Sequence, residues 1–157
     1  MARLVHEGNT KVYWADTLTD PSAPTDAEIT TDATELTGQL PSDGVQLSGT
    51  RNNASVSMLD GGFTPEEVGT WGRQITLNLL RDDTDDVGYT TFTYATSGYL
   101  IISRFGVPEE NDEVEVYPAS CHEPLPAATA ENEYQQYEVQ LAVTDTPSLR
   151  ATVASST

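Results

Sequence analysis

The chain has 157 residues, of which 37% are hydrophobic, and it carries seven Lys or Arg against 25 Asp or Glu, for a formal net charge of -18. One domain with its own core is the default at this length. Tight binding to nucleic acid or to anionic lipid requires clustered Lys and Arg, and the seven cations are scattered, which argues against both. Two interpretations of the acidity remain: a generally solubilising or halotolerant surface, or a face that stays close to polyanions without binding them.

Cysteine usage and the N-terminal segment bear on the compartment. Cys121 is the single cysteine, so no intramolecular disulfide can form. The first eleven residues lack the apolar core of a signal peptide, and no stretch reaches the ~20 apolar residues that span a bilayer. We therefore expect a soluble protein that matures in a reducing cytoplasm and does not bind membranes.

Strand patterns run along most of the chain. Residues 10–16 place Val12 and Trp14 on one side of a short strand. Residues 17–34 are rich in Thr, Asp and Pro and have no period, which predicts a long polar loop. After this loop, apolar alternation predicts strands within 35–40, 44–49, 53–62, 73–81, 98–106, 113–119, 133–145 and 149–154.

Two segments depart from the strand pattern. Residues 64–72 predict a single helical turn with Thr64 as its cap and Pro65 at its first position, and the Pro-rich residues 118–129 predict a surface connection. Most of the strands have one apolar and one polar face, which is typical of antiparallel sheets packed as a sandwich or barrel. We predict a mainly β fold of two packed antiparallel sheets, with one flanking α-helix and long loops, in a single domain over residues 1–157.

The acidic run between two predicted strands, RDDTDDVGYTTF (81–92), raises the question of a cation site. Counted from Asp83, an EF-hand loop would need an acid at position 5 and Glu at position 12, where the chain has Val87 and Tyr94. A helix start is the preferred alternative, with Asp83 or Thr84 as cap and the helix covering residues 83–95. Gly88 and three threonines lower the helix propensity, so a strand over YTTFTY remains open.

Catalytic chemistry has no positive support in the sequence. His6 and His122 are the only histidines, and neither has a spaced partner that indicates a metal site or a triad. Cys121 and His122 are neighbours, whose side chains would point to opposite faces of a strand. Trp14 and Trp71 are expected to pack rather than to stack on sugars. We predict that the protein is not an enzyme and has no catalytic, cofactor or metal residues.

The order of elements resembles the major tail tube proteins of long, non-contractile-tailed bacteriophages, the lambda-like siphophage family. Three passages carry the resemblance: TELTGQLPSDGVQLSGTRNNASVSML (34–59), RQITLNLLRDDTDDVGYTTFTYATSGYLIISRFG (73–106) and YQQYEVQLAVTDTPSLRATVA (134–154). The second passage shows the strand ending in Arg81, the acidic connection, the flanking helix and the apolar strand after Gly98. The likeness covers most of the chain.

This resemblance implies a structural virion protein that forms stacked, hexameric rings of a tail tube. Its partners would be copies of itself, the tape measure protein, the tail terminator and tail-tip proteins, and its location the virion tail, with the host cytoplasm during assembly. DNA would pass through an acidic lumen without tight binding, and the long loop 17–34 would become ordered between subunits on assembly.

The lumen-facing candidates are strand residues expected to point away from the core: Glu113, Glu115, Glu138 and Gln140. For each of them, exposure to bulk solvent is an equally good explanation. The alternative function is a non-enzymatic β-sandwich module that binds or decorates a virion or cell surface.

Overall fold

Nine strands account for most of the regular structure in the computed structural model, which describes residue 3 and residues 5–127 and 130–156. They are β1 (Lys11–Ala15), β2 (Thr34–Glu35), β3 (Val45–Ser55), β4 (Glu66–Leu80), β5 (Ser97–Ser103), β6 (Glu113–Cys121), β7 (Leu125–Pro126), β8 (Gln136–Val143) and β9 (Ser148–Thr152). The helical elements of these residues are α1 (Val87–Thr91), a π-helical turn (Glu28–Asp32) and a 3₁₀ turn (Thr37–Gln39). The predicted mainly β class is confirmed.

The sheet divides at β6. On one edge β5 pairs with it in antiparallel register, with Leu100 opposite Tyr117. The other edge is shared, because β9 pairs with the first half of β6 and β8 with its last three residues, where Cys121 lies opposite Leu141. The strand order is β2-β1-β5-β6-β8-β4-β3, so β1, β5 and β6 form one layer and β8, β4 and β3 continue into the other.

A hydrophobic cluster lies between these two layers. Val12, Trp14 and Ile102 contribute to it from the first layer, and Leu77 and Val139 from the second. Both sets follow the two-residue strand period, which is why the alternation in the sequence predicted their burial. The fold is therefore sandwich-like.

A second cluster covers the opposite face of β1, β5 and β6. Tyr13, Ile101 and Val116 project from these strands and pack against Ile29 of the π-helical turn and Ala151 of β9. The first layer is thus buried on both faces, which accounts for the nearly continuous apolar sequence of β5.

Ile29 belongs to the predicted polar loop 17–34, and its complete burial shows that this segment is packed onto the fold of the single chain. The carboxylate of Glu28 accepts hydrogen bonds from the backbone N–H groups of Thr19 and Thr25. Thr25 also forms a parallel bridge with Ala154. This packing within one chain differs from the expectation that the segment becomes ordered between subunits on assembly.

The flanking helix is shorter than the predicted span of 83–95. It begins at Val87 and ends at Thr91, and the N-cap position is occupied by Asp86, which makes no side-chain capping bond. Asp83 and Thr84 lie before the helix, so their assignment as caps is wrong.

The reason is a competing turn. One carboxylate oxygen of Asp82 accepts hydrogen bonds from the N–H groups of Thr84 and Asp85, a local alternative to helix that short polar side chains offer. Asp83 accepts only from the hydroxyl of Thr84.

Candidate functional site

The β3–β4 hairpin extends beyond the rest of the molecule. β3 has 11 residues and β4 has 15, but on β4 the buried positions begin only at Ile75. We call residues 50–72 the arm. It includes the end of β3, the start of β4 and their connection, and nearly all of its residues are exposed. The predicted helical turn at 64–72 is wrong, because Glu66 begins a strand paired with Ser55 of β3.

A β-bulge lies within the arm. Arg51 is opposite Trp71 and Asn53 is opposite Val68, so β4 has one extra residue between these pairs. A Cβ on Gly69 would lie 2.6 Å from the backbone oxygen of Asn52, so only glycine allows this approach. The bulge increases the local twist of the hairpin. Because of the extra residue, the alternation of β4 side chains between the two faces is shifted by one residue on the far side of Trp71.

Large apolar side chains project from the arm into solvent. The exposed fraction is 105% for Leu59, 86% for Phe63 and 92% for Val68, and Val56, Met58 and Trp71 are also exposed. The chain exposes 10194 Å² in total, whereas a compact monomer of this mass exposes about 7,700 Å². Several large apolar side chains exposed on one hairpin mark an interaction site, so the arm is the candidate functional site.

At the other end of β4, a polar network positions α1. Arg81 Nε lies 2.6 Å from Asp86 Oδ2, and the guanidinium stacks 4.0 Å from the centroid of the Tyr89 ring. Gln39 donates to Asp86 Oδ1 and accepts from the N–H of Gly88. The acidic run therefore builds a turn and anchors a helix. Among the described residues, no group of three or more His, Cys, Asp or Glu side chains is arranged to hold a metal ion.

The four lumen candidates do not lie on one common face. Glu138 and Gln140 are on the outer face of β8, away from the core, and Gln140 donates to Glu138. Glu115 lies opposite Ile102 and thus on the side of β6 that faces the first cluster. By strand alternation Glu113 shares that side, although it is exposed. The expectation of a position away from the core is wrong for Glu115, which is half-buried; for Glu113, which is exposed, it stays a prediction.

Glu115 instead belongs to a polar group at the margin of the core. It pairs with Arg104 at 2.8 Å and accepts a hydrogen bond of 3.2 Å from the hydroxyl of Tyr117. Burial, followed by the charge of Glu115, raises the pKa of Tyr117 to about 12. Strand alternation in the sequence contains no signal for this pair, because Arg104 lies beyond the end of β5.

The side chains considered for catalysis have structural contacts. Cys121 is buried and its thiol donates to the backbone oxygen of Thr93, and Trp14 lies in the core in edge contact with Phe92. His6 hydrogen bonds with Thr10 and with the backbone oxygen of Ser42, at the edge of an open cavity of about 280 Å³. No helix in the described part of the chain is long and apolar enough to cross a membrane.

Comparison with known proteins assigns the chain to a family. The family model for phage tail tube proteins matches residues 1–156, nearly the whole sequence. No curated protein matches the chain. The family is a structural one, which implies a non-enzymatic role in the virion tail, as part of a tube that also contacts other tail components. The chain belongs to the phage tail tube protein family.

Proposed function

We propose that this protein assembles with copies of itself into rings, that the rings stack into the tail tube, and that the arm is a principal contact between copies. The exposure of Leu59, Phe63 and Val68 carries this proposal. The surface exposed beyond that of a compact monomer is roughly 2,500 Å², more than the ~1,200–2,000 Å² that a specific interface buries in total. Docking of the arm would remove part of this surface from water, including the side chains of Leu59, Phe63 and Val68.

The ring is proposed to contain six copies, as the likeness to siphophage tail tubes implies. Such a ring would carry a formal charge of about -108, six times the -18 of one chain. Repulsion between this charge and the phosphate backbone would let DNA pass during ejection without being held. Glu138 and Gln140 are the preferred lumen candidates because both lie on an outer strand face, and Glu113 and Glu115 remain candidates only at a ring edge.

The proposed partners are the tape measure protein inside the tube and the tail terminator and tail-tip proteins at its ends. Assembly would take place in the host cytoplasm, and the finished protein would reside in the virion tail. A surface charge of this sign also repels unassembled copies from one another, which would delay polymerisation of the free protein at low ionic strength.

Electron microscopy of the purified protein tests self-assembly. Concentrated protein at raised ionic strength should form rings or tubes with a central hole wide enough for duplex DNA, because salt screens the repulsion between copies. Isolated globules at every concentration and salt tested would refute the proposal and would favour a decoration or binding module.

The acidic lumen has its own test. Tubes of the wild-type protein should retain no added duplex DNA after gel filtration, and tubes of the Glu138→Lys/Gln140→Lys variant should retain it. The matched variant Glu131→Lys/Gln135→Lys replaces the same two residue types, Glu and Gln, at exposed residues before β8. Equal retention by both variants would place Glu138 and Gln140 outside the lumen.

A further inference from the structure

The cationic side chains of this chain differ in whether they form an ion pair with a carboxylate. Arg81 and Arg104 each pair with a carboxylate of their own chain. Arg51 and Arg73, at the base of the arm, lie within 4 Å of no described carboxylate oxygen. Lys11 and Arg150 likewise lack such a partner, but Arg51 and Arg73 are neighbours on the β3–β4 hairpin. Two adjacent cations without a carboxylate, in a chain with 25 acids, point to a carboxylate from another molecule.

These two arginines flank an exposed tryptophan on one face of the hairpin. Arg51 is opposite Trp71 and Gly49 is opposite Arg73, and residues two apart on a strand share a face. Arg51 and Arg73 are therefore diagonal neighbours, whose Cα atoms are about 7–8 Å apart in such a pair. The guanidinium carbon of Arg73 lies 5.9 Å from the centroid of the Trp71 ring. We call Arg51, Trp71 and Arg73 the cation–aromatic surface.

The surface is open on both sides. Its three residues and β3 residues such as Ser48 line a depression of about 320 Å³. Trp71, Arg73 and the turn after β8 line another of about 290 Å³. Asp145 lines the second depression, but its carboxylate accepts from the N–H of Thr146 and makes no ion pair with Arg73. On β4 this face continues the core face before Ile75, where Trp71 is exposed and Arg73 is half-buried.

We propose that the cation–aromatic surface binds the acidic turn 82–86 of a second copy of this chain. This inference rests on the proposed self-assembly and specifies one of its contacts. Asp83 and Asp85 are exposed, while Asp82 and Asp86 are engaged in the turn and with Arg81. Charge complementarity therefore favours a contact between the two arginines of one copy and the exposed carboxylates of another. Apart from such a contact, the net negative charges of the two copies repel each other.

The location of the two surfaces determines the type of contact. Trp71 and Arg73 lie in the middle part of β4 and the acidic turn follows its end, so the strand separates the two surfaces by roughly 23–30 Å at 3.2–3.4 Å per residue. They cannot meet within one chain. A contact between different surfaces of two copies is heterologous, and such contacts generate rings or open stacks, as a tube requires.

A second acidic segment, residues 109–113, is the competing candidate. It contains Glu109, Glu110, Asp112 and Glu113 and precedes β6. Because β6 and β4 are both antiparallel to β8, the start of β6 and the start of β4 point towards the same end of the fold. The segment 109–113 therefore lies towards the end that carries the arm, which disfavours it for a head-to-tail contact.

Charge exchange tests the pairing. We expect Arg51→Glu/Arg73→Glu, and separately Asp83→Lys/Asp85→Lys, to raise the critical concentration for assembly in a sedimentation assay at least about tenfold, since like charges then face each other. A chain with all four substitutions restores opposite charges and should return to within about threefold of wild type. The control Lys11→Glu/Arg150→Glu changes the net charge as much as the arginine variant and should keep its assembly within threefold of wild type.

Each outcome of this assay either supports or overturns the proposed contact. Unchanged assembly of Arg51→Glu/Arg73→Glu, or absence of recovery in the fourfold variant, overturns the inference when thermal unfolding shows all variants folded. Recovery of the arginine variant by Glu109→Lys/Glu110→Lys, and not by the 83/85 change, overturns it as well. Failure of the wild-type protein to assemble would instead refute the proposed function, so the two failures are distinct.

Discussion

Arg81 Nε lies 2.6 Å from Asp86 Oδ2, and this ion pair joins the end of β4 to the start of α1. Asp86 is the more buried partner, with a side-chain exposure of 14% against 38% for Arg81. Gln39 extends the contact because it binds both Asp86 and the first turn of the helix. A helix of five residues cannot be stable alone, so these side chains fix its position.

We predict that Asp86→Asn lowers the free energy of unfolding by about 1.5–3 kcal/mol, the range for a hydrogen bond to a charged group. The amide preserves the shape but removes the charge that Arg81 faces. Asp83→Asn, three residues earlier in the same run but at an exposed position, should change the free energy by less than about 0.5 kcal/mol. Urea unfolding of the two variants measures the difference. Equal effects would show that the ion pair of Asp86 adds no more stability than the exposed Asp83.

A glycine in α1 allows the helix to approach β8. A Cβ on Gly88 would overlap the hydroxyl oxygen of Tyr137 and lie 2.9 Å from Gln39 Oε1. An alanine in a helix is ordinarily favoured over glycine by about 1 kcal/mol, but overpacking costs about 1–3 kcal/mol. We therefore expect Gly88→Ala to destabilise the protein despite its better helix propensity.

Tyr137→Phe provides the control for that clash. The Tyr137 hydroxyl is buried and has no hydrogen-bond partner among the described residues, so its removal should be neutral or stabilising. In the Tyr137→Phe background, Gly88→Ala should cost at least about 0.5 kcal/mol less than in wild type. An unchanged cost would show that Tyr137 is not what limits the space at residue 88.

The sequence predicted the parts of the fold that follow from a two-residue period. Tyr137, Val139 and Leu141 of β8 are buried as their alternation indicated, and Ile75, Leu77 and Leu79 of β4 behave in the same way. Burial on one strand face is a local property of the sequence, so it needs no knowledge of the partner strand.

The errors fall where partners decide the structure. Thr64 and Pro65 have the signature of a helix start, but pairing of Glu66 with Ser55 extends β4 to 15 residues. The alternation along β6 also does not show that Glu115 lies on the side that faces the first hydrophobic cluster. That position depends on how β8 and β9 share one edge of β6. The cation–aromatic surface depends on the register of Arg51 with Trp71, which alternation alone does not specify.

Stability at high pH should depend on Tyr117. Its pKa is raised to about 12, first by burial and then by the charge of Glu115, from an ordinary value of ~10. A raised folded-state pKa favours the protonated form, so the contribution is fully present below pH ~10 and is lost as the pH rises towards 12. Urea unfolding between pH 8 and 11.5 should show a steeper decline for wild type than for Tyr117→Phe. Parallel curves would contradict this.

Glu28 should act at the opposite end of the pH scale. The backbone hydrogen bond from Thr25, opposed by burial and reinforced by Thr19, lowers the pKa of Glu28. A lowered folded-state pKa stabilises the protein above the unfolded value of ~4.3, and this contribution is lost as the pH falls through the folded pKa. Glu28→Gln should therefore be less stable than wild type at pH 7, with the gap closing at pH 3. Glu123→Gln, at an exposed residue, should show no such gap.

The arm offers the clearest separation of assembly from folding. Leu59 and Phe63 are almost fully exposed, so Leu59→Ser/Phe63→Ser removes no core contact and should change the free energy of unfolding by less than about 0.5 kcal/mol. The same change should prevent rings and tubes in electron micrographs, because it deletes the apolar surface that a neighbouring copy would cover. Tyr94→Ser/Tyr134→Ser removes two other exposed aromatic side chains, at 76% and 81% exposure, outside the arm, and should leave assembly intact. Loss of assembly in both variants, or in neither, would show that the arm has no particular role in joining the subunits.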